Sequence, residues 1–302
     1  MTKINHRLLK RRLLVVLNDI RLSNDWYNIF KSITKYGYYK KDFLIEQFGT
    51  DKQLKSNKKT SYFSQLKGFR EFQKIHKTKK NKHPYGIPQG TAISAVFANV
   101  YATDFDVSMK RIANQYSGVY RRYSDDFILV IPKDQCTHIL SLAEFRQIEM
   151  NVLRLASLNS IEIQKEKTNS YLYKDKKITT SDGQTLTKID YLGFVFDGKN
   201  VSMRGKSPYK FYRQAYRLIH RAKKVQKRKS LNKAPYRKRI YGLYTDLGTN
   251  RGVYGNFINY AKRAQSKFDQ LSPNTTNLMM EQIKHRKKKI EKKLGIKIHS
   301  IT

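Results

Sequence analysis

Cysteine is almost absent from this sequence: Cys136 stands alone in 302 residues. An internal disulfide and a cysteine-built zinc site are therefore excluded. Long apolar runs are missing too. The patch at residues 13–17 holds five apolar residues, far short of the roughly 20 that a spanning helix needs. No cleavage site follows it, as a secretory leader would require. A cytoplasmic protein with no membrane contact is the expectation. Acidic residues are scarce: 23 Asp and Glu face 62 Lys and Arg, a net charge of +39. Such a chain repels itself and needs a polyanionic partner. Nucleic acid is the natural one, because each neutralised phosphate releases counterions; an anionic membrane surface is the weaker competitor. No internal repeat is present, and the length suffices for a full core and for two domains or subdomains.

What the sequence does contain is organised around residues 119–131, with Tyr123-Ser124-Asp125-Asp126 at the centre. The flanks are β-branched and aromatic and too short for a helix, which predicts a hairpin with both aspartates at its turn. Adjacent carboxylates repel unless a cation lies between them and a third group, and Mg²⁺ takes one or two carboxylates together with substrate phosphates. Asp125 and Asp126 are thus the candidate metal ligands. Upstream, Pro84, Gly86, Pro88 and Gly90 predict a stiff turn with close backbone approach, and Gln89 offers both an amide donor and an acceptor. A helix over 94–113 follows, with Ala95, Ala98 and Ala102 small enough to pack tightly against a sheet. A turn, a glutamine and a helix N-terminus together suit a nucleotide or a template backbone.

The rest reads as helices, hairpins and basic surface. Asn5 is placed to cap a helix over 6–18, whose Leu9, Leu13, Val16, Leu17 and Ile20 share a face. A second helix, over 24–35, puts Trp26, Ile29, Phe30 and Ile33 together. His6 reads as a cap-region or surface residue rather than a ligand. Ten lysines between Asp51 and Lys82 predict a solvated, partly mobile segment. Its Tyr62, Phe63, Phe69 and Phe72 suit either a nucleic-acid path or a small aromatic core. A helix is expected over 140–158 and a strand over 161–168, where Lys167 either approaches a phosphate or is an ordinary solvated lysine. Asp182-Gly183 predicts a turn, and residues 191–201 a hairpin turned on Asp197-Gly198. From Ser207 the chain is helical and cationic, with Tyr212, Ala215, Tyr216 and Ile219 on one face and Arg213, Arg217, Arg221 and Lys224 on the other. Helices over 243–268, broken near 248–255, and over 277–294 continue it.

Gly86-Ile87-Pro88-Gln89-Gly90-Thr91-Ala92-Ile93-Ser94, then Tyr123-Ser124-Asp125-Asp126, then Tyr191-Leu192-Gly193-Phe194 resemble the central blocks of a reverse transcriptase, in the family's order and with similar spacing. The bacterial kind is nearest: retron, abortive-infection and other defence-associated enzymes, with group II intron enzymes further off. The likeness covers residues 5–263, and Gly255-Asn256-Phe257-Ile258-Asn259-Tyr260 resembles the thumb of the defence-associated group. The resemblance implies an α+β right-hand polymerase. Residues 1–85 would be a fingers and palm remnant, 86–205 a palm with an antiparallel sheet, and 206–302 a basic helical thumb. It also implies an RNA-directed DNA polymerase using two divalent ions, Mg²⁺ or Mn²⁺, with an RNA template, a DNA or RNA primer and dNTPs. On that mapping Asp125 is the principal metal ligand and Asp126 its partner, and Tyr123 lies beneath the primer end. Gln89 and Gly90 meet the incoming nucleotide and template, Lys167 lies near the leaving pyrophosphate, and Tyr191, Leu192 and Gly193 form the primer grip.

The sequence departs from the family at one point. A third metal carboxylate is expected on an earlier palm strand, an apolar run followed by Asp and then Phe-Phe. In bacterial relatives that block directly precedes a segment resembling Ile4-Asn5-His6-Arg7-Leu8-Leu9-Lys10-Arg11. The aspartate is thus expected upstream of Met1, or on a separate N-terminal polypeptide. Asp19 is the alternative within the chain, although the periodicity there fits a helix better than a strand. Weak polymerisation by residues 1–302 alone is the expectation. Two other readings stay open: a remnant that holds RNA–DNA duplex without polymerising, and a template-independent nucleotidyltransferase of a phage-defence system. A non-coding RNA is a further candidate partner.

Overall fold

A computed structural model describes residues 3–57, 59–132, 141–244 and 256–297. It is mixed α+β, 54% helix with several small sheets, and divides into two units, 1–168 and 169–302. The expected boundaries at 85/86 and 205/206 follow the resemblance rather than these units. Among the described residues no helix is long and apolar enough to cross a membrane. Cys136 lies outside them.

In the first unit Asn5 caps α1 (His6–Leu17), its side-chain oxygen accepting from Leu8 N at 3.1 Å. Leu9 and Leu13 are buried as expected, but Val16 and Ile20 are exposed. Asn18, in left-handed backbone at φ 51°, ends the helix, so Ile20 no longer shares its face. The charged Arg12 goes inward instead. Then α2 (Asn24–Thr34) buries Phe30 and Ile33. Short strands β1 (Gly37–Tyr38) and β2 (Lys79–Lys80) pair antiparallel and enclose α3 (Lys41–Phe48), α4 (Asp51–Ser56) and α5 (Leu66–Ile75) in sequence. The lysine-rich segment is thus partly helical, and its rings pack on one another. Phe72 has Tyr39, Phe43, Phe48, Phe63 and His76 around it at centroid distances of 4.5–6.1 Å. That is the aromatic-core arrangement.

The spine of this unit is α6 (Ala92–Gln115), capped by Thr91. One side of it, through Phe97 and Tyr101, joins Leu9, Leu13, Phe30 and Ile33 in a first core. The other side, through Phe105, Met109 and Ile112, joins a second. There it meets Tyr120, Phe127 and Leu129 of the hairpin β3 (Val119–Tyr123) and β4 (Asp126–Val130), and Ile148 and Ala156 of α7 (Leu142–Leu158). Ala98 packs into the helical core rather than against a sheet, and Ala95 is exposed. Residues 161–168 do not form the expected strand. Ile161 and Ile163 do alternate into the second core, but among the described residues no strand pairs with them, and Lys165–Lys167 make a 3₁₀ turn. Ser160 at φ 53° and the bond from Ile161 N to Ala156 O fold the chain straight back off α7.

Arg12 ties these elements together. Its Nε donates to Asp104 at 2.9 Å, Nη2 to Asn159 Oδ1 at 2.6 Å, and Nη1 to the Tyr101 carbonyl. Its guanidinium also lies 4.9 Å from the Tyr101 ring centre. A guanidinium this buried is tolerated because its donors have acceptors; deleting it strands those acceptors. Arg12→Met is expected to destabilise the first unit by about 3 kcal/mol, the low end for a broken buried pair because Asp104 is half-exposed. Denaturant unfolding measures this, and a midpoint equal to the parent's would show that the network contributes nothing.

The second unit begins with β5 (Tyr171–Lys174) and β6 (Lys177–Thr180), joined by Asp175 and Lys176, both at positive φ. The Asp182-Gly183 turn is present, with Thr180 N bonded to Thr185 O at 2.9 Å. Residues 191–196 are not one continuous strand. Leu192 and Gly193, at φ 49° and 89°, turn the chain so that β7 (Ile189–Tyr191) pairs back on β8 (Phe194–Phe196). The Asp197-Gly198 turn then joins β8 to β9 (Asn200–Met203), as expected. A late strand, β10 (Thr276–Asn277), adds parallel to β9 and completes the order β10-β9-β8-β7.

The helices α8 (Lys206–Arg228), α9 (Arg237–Tyr244), α10 (Phe257–Leu271) and α11 (Arg286–Leu294) follow among the described residues of the second unit. Phe211, Ala215, Ile219, Ile258, Met279 and Ile290 lie in its core. Tyr212 and Tyr216 are half-buried, with the ammonium groups of Lys289 and Lys293 at 4.9 and 5.6 Å from their ring centres. The helix expected over 277–294 starts only at Arg286. The Gln282 amide bonds both main-chain groups of Met203, at 2.8 and 2.9 Å, so the preceding chain lies along β9 instead of coiling. Asn256 opens α10 by accepting from Ile258 N and Asn259 N; Gly255 and the expected break lie outside the described residues.

Gly198, at φ 101°, has the Lys176 carbonyl oxygen 2.4 Å from where a Cβ would stand. Gly198→Ala is expected to destabilise by about 2 kcal/mol, through both the backbone angle and the clash. A lowered denaturation midpoint checks this, and an unchanged one would mean that the two hairpins part without cost.

Candidate active site

The hairpin pairs Tyr123 with Asp126, Arg122 with Phe127 and Tyr120 with Leu129, which leaves Ser124 and Asp125 as a two-residue turn. Ser124 takes φ 55°, the positive angle that favoured hairpin turns need at their first central position. For a residue with a Cβ such backbone costs about 1–3 kcal/mol and persists only where its surroundings hold it. Side chains alternate across the strands. Tyr120, Arg122, Phe127 and Leu129 face α6 and α7, while Arg121, Tyr123, Asp126 and Ile128 take the other face. Tyr123 is 68% exposed, and Asp125 and Asp126 are exposed as well. Two carboxylates therefore stand side by side at an open tip.

Helix α6 runs antiparallel to β3. Gly118 N bonds Ala113 O at the base, Tyr120 Oη donates to Asp106 midway, and Arg122 donates to Asn99 level with the tip. The seven residues from Asn99 back to Ala92 carry the helix about 10 Å past the tip, at 1.5 Å per residue. Gln89 and Gly90, both exposed and Gly90 at φ 83°, lie just before its first turn. The Gln89-Gly90 loop, the N-terminus of the helix and the carboxylate turn thus share one end of the unit. The positive end of the helix macrodipole favours an anion there.

Beneath the tip, Arg122 Nε and Nη2 each bond an Asp106 oxygen at 2.7 Å. Its Nη1 bonds Asn99 Oδ1 at 3.1 Å and the Ser124 carbonyl at 2.8 Å. Tyr120 Oη donates to Asp106 Oδ1 at 2.7 Å. Burial, and then that bond to a carboxylate, push the phenol's pKa well up; hydrogen bonding to Asp106 raises that of Arg122. The phenol stays protonated and the guanidinium charged. Sequence reasoning did not single out Arg122, Asp106 or Asn99. The available signal was strand alternation, which turns Arg122 inward, but it does not tell which carboxylate receives it.

The remaining expected site residues belong to other elements. Lys167 is exposed in the 3₁₀ turn near the end of the first unit. Tyr191, Leu192 and Gly193 belong to the second unit, at the β7–β8 turn, where the Gly193 carbonyl accepts from Arg204 N at 2.8 Å. Asp19 does not join the pair. The hairpin meets α6 through Asp106 and α1 meets it through Asp104, positions about 200° apart around the helix. Asp19 Oδ1 accepts from Ile20 N and Arg21 N instead. His6 Nε2 donates to the Gly86 carbonyl at 2.7 Å, tying α1 to the turn before α6. Among the described residues no group of three or more His, Cys, Asp or Glu is placed to hold a metal ion. The tip fits an ion shared between two protein carboxylates and a ligand's phosphate oxygens. No known protein-family model matches the chain, nor does any curated protein.

Proposed function

We propose that the chain is a nucleotidyltransferase of the reverse-transcriptase kind, adding dNTPs to a primer on an RNA template. The observation that carries this reading is the open tip, where Asp125 and Asp126 stand exposed at the end of the unit towards which the Gln89-Gly90 start of α6 runs. In a right-hand polymerase, α6 and the hairpin are the heart of the palm, the β7–β8 turn is the primer grip, the cationic helices of the second unit are the thumb, and α3–α5 belong to the fingers. Mg²⁺ held at the tip would lower the pKa of the primer 3′-hydroxyl and stabilise charge developing on the triphosphate. The chain's own residues bind and orient: Asp125 and Asp126 hold the ion, and Gln89 and Gly90 meet the nucleotide and template. Tyr123, on the open face, supports the primer end, and Lys167 meets the departing pyrophosphate. Tyr191, Leu192 and Gly193 hold the primer strand. The third carboxylate of this chemistry comes, in this proposal, from polypeptide outside the described residues.

Primer extension on an RNA template, with Mg²⁺ and then Mn²⁺, tests the proposal. Template-complementary incorporation, weak for residues 1–302 alone, is the expected result. Incorporation indifferent to the template would mean template-independent transfer instead. The lack of a three-carboxylate group among the described residues also favours a second reading, a protein that grips RNA–DNA duplex without polymerising. Tight duplex binding with no incorporation under either metal would decide for it.

A further inference from the structure

We propose that Arg122 is a positioning residue for the carboxylate tip: it holds the Ser124-Asp125 turn in its metal-binding shape, while Asp106 keeps the guanidinium's charge on the inner face. This deepens the polymerase reading and rests on it. A two-stranded hairpin is only marginally stable by itself, and the turn residue Ser124 is in unfavourable left-handed backbone at φ 55°. Something must hold it. Arg122 does so from two residues away, through Nη1 to the Ser124 carbonyl at 2.8 Å. The guanidinium is planar and presents its donors as a rigid fork. Two of them lie on the two oxygens of Asp106, and Nη1 also reaches Asn99. Asn99 and Asp106 are seven residues apart on α6, two turns, and therefore on the same side of the helix. The fork thus staples the turn carbonyl to two fixed points on the spine of the unit. Tyr120 Oη steadies Asp106 in turn, at 2.7 Å.

The charge balance gives Asp106 its own part. The Arg122 side chain is 11% exposed and that of Asp106 30%, so solvent and salt screen the pair little. An uncommitted cation three residues from Asp125 would compete with a divalent ion for the same carboxylates. With both its oxygens on the guanidinium, Asp106 prevents this. Neighbours that orient metal ligands in this way typically change metal affinity 10–100-fold when removed.

The experiment uses the whole chain and two readouts besides activity: Mn²⁺ titration followed by electron paramagnetic resonance, and amide hydrogen exchange at residues 123–126. Arg122→Lys keeps a cation but has no fork. It is expected to weaken Mn²⁺ binding about tenfold and to speed exchange at 123–126 by a similar factor, while exchange in α8 stays as in the parent. Asp106→Asn frees the cation and is expected to weaken Mn²⁺ binding as well; parental affinity there would overturn the role given to Asp106. Unchanged exchange at 123–126 in Arg122→Lys overturns the positioning role whatever the metal does. Faster exchange with unchanged Mn²⁺ affinity overturns the link to the metal site. Asp125→Asn tests the polymerase reading itself. If it binds Mn²⁺ as the parent does, that reading fails and the metal link with it, while the anchor is judged by exchange alone. Should Arg122→Lys not fold, Asn99→Ala, which removes one of the two fixed points, is expected to speed the same exchange, and parental exchange would overturn the proposal.

Discussion

Asp125→Asn is expected to reduce metal-dependent nucleotide incorporation at least about 10³-fold, to the level of a metal-free control, which corresponds to about 4 kcal/mol of barrier. The substitution keeps the shape of the side chain and removes the negative oxygen that a hard cation requires. Asp125 sits in an exposed two-residue turn outside both cores of its unit, so the fold tolerates the change and the loss reports on chemistry. Asp126→Asn is expected to act alike. Asp42→Asn, an exposed acid on α3, serves as the control that leaves the rate unchanged. Incorporation of labelled nucleotide, with folding checked by circular dichroism, is the measurement. A rate surviving Asp125→Asn would place any transferase chemistry elsewhere in the chain.

The second large effect concerns affinity. Residues 169–302 hold 32 Lys and Arg against 8 Asp and Glu. Along α8, Lys206, Lys210, Arg213, Arg217, Arg221, Lys224 and Arg228 are all exposed. Their spacing of three or four residues puts them on one side, opposite the buried Phe211, Ala215, Ile219 and Ala222. The helix thus presents a straight cationic stripe about 34 Å long. If the stripe and its neighbours neutralise about six phosphates, log affinity against log salt has a slope of about −5, and binding weakens about 10³-fold between 50 and 200 mM. Replacing Arg213, Arg217 and Lys224 together by Gln is expected to make the slope shallower by about three. Fluorescence anisotropy with an RNA–DNA duplex measures both. A flat salt dependence, or a slope untouched by the triple substitution, would remove this stripe from nucleic-acid binding.

The features that could be read from the sequence are those fixed by near neighbours. The β-branched and aromatic flanks of Ser124-Asp125 specify a hairpin because strand preference and turn are local, and the cap at Asn5 works the same way. What escaped depends on partners far along the chain. The inward turn of Arg12 needs acceptors 89 to 147 residues away, and without them an arginine on a helix face reads as surface. The late start of the last helix depends on Gln282 finding Met203, 79 residues earlier. Residues 161–168 have a strand's alternation but, among the described residues, no strand beside them. Leu192 takes a left-handed turn angle that nothing in a leucine announces. The site divides in the same way. Asp125 and Asp126 were legible from a tetrapeptide, whereas Arg122, Asp106 and Asn99 become a unit only once α6 and β3 lie antiparallel in one particular register.

That register gives the long helix a mechanical meaning. Because α6 carries both the Gln89-Gly90 loop at its start and the supports of the carboxylate turn at Asn99 and Asp106, the interval between them is set by a girder rather than by loops. Such a length is quantised: one residue more or less changes it by about 1.5 Å and swings everything beyond by about 100°. On the proposed polymerase reading, the helix keeps the interval between nucleotide loop and carboxylate turn constant, but that interval cannot be tuned gradually. Any adjustment by insertion would rotate Asp106 out from under Arg122 at the same step.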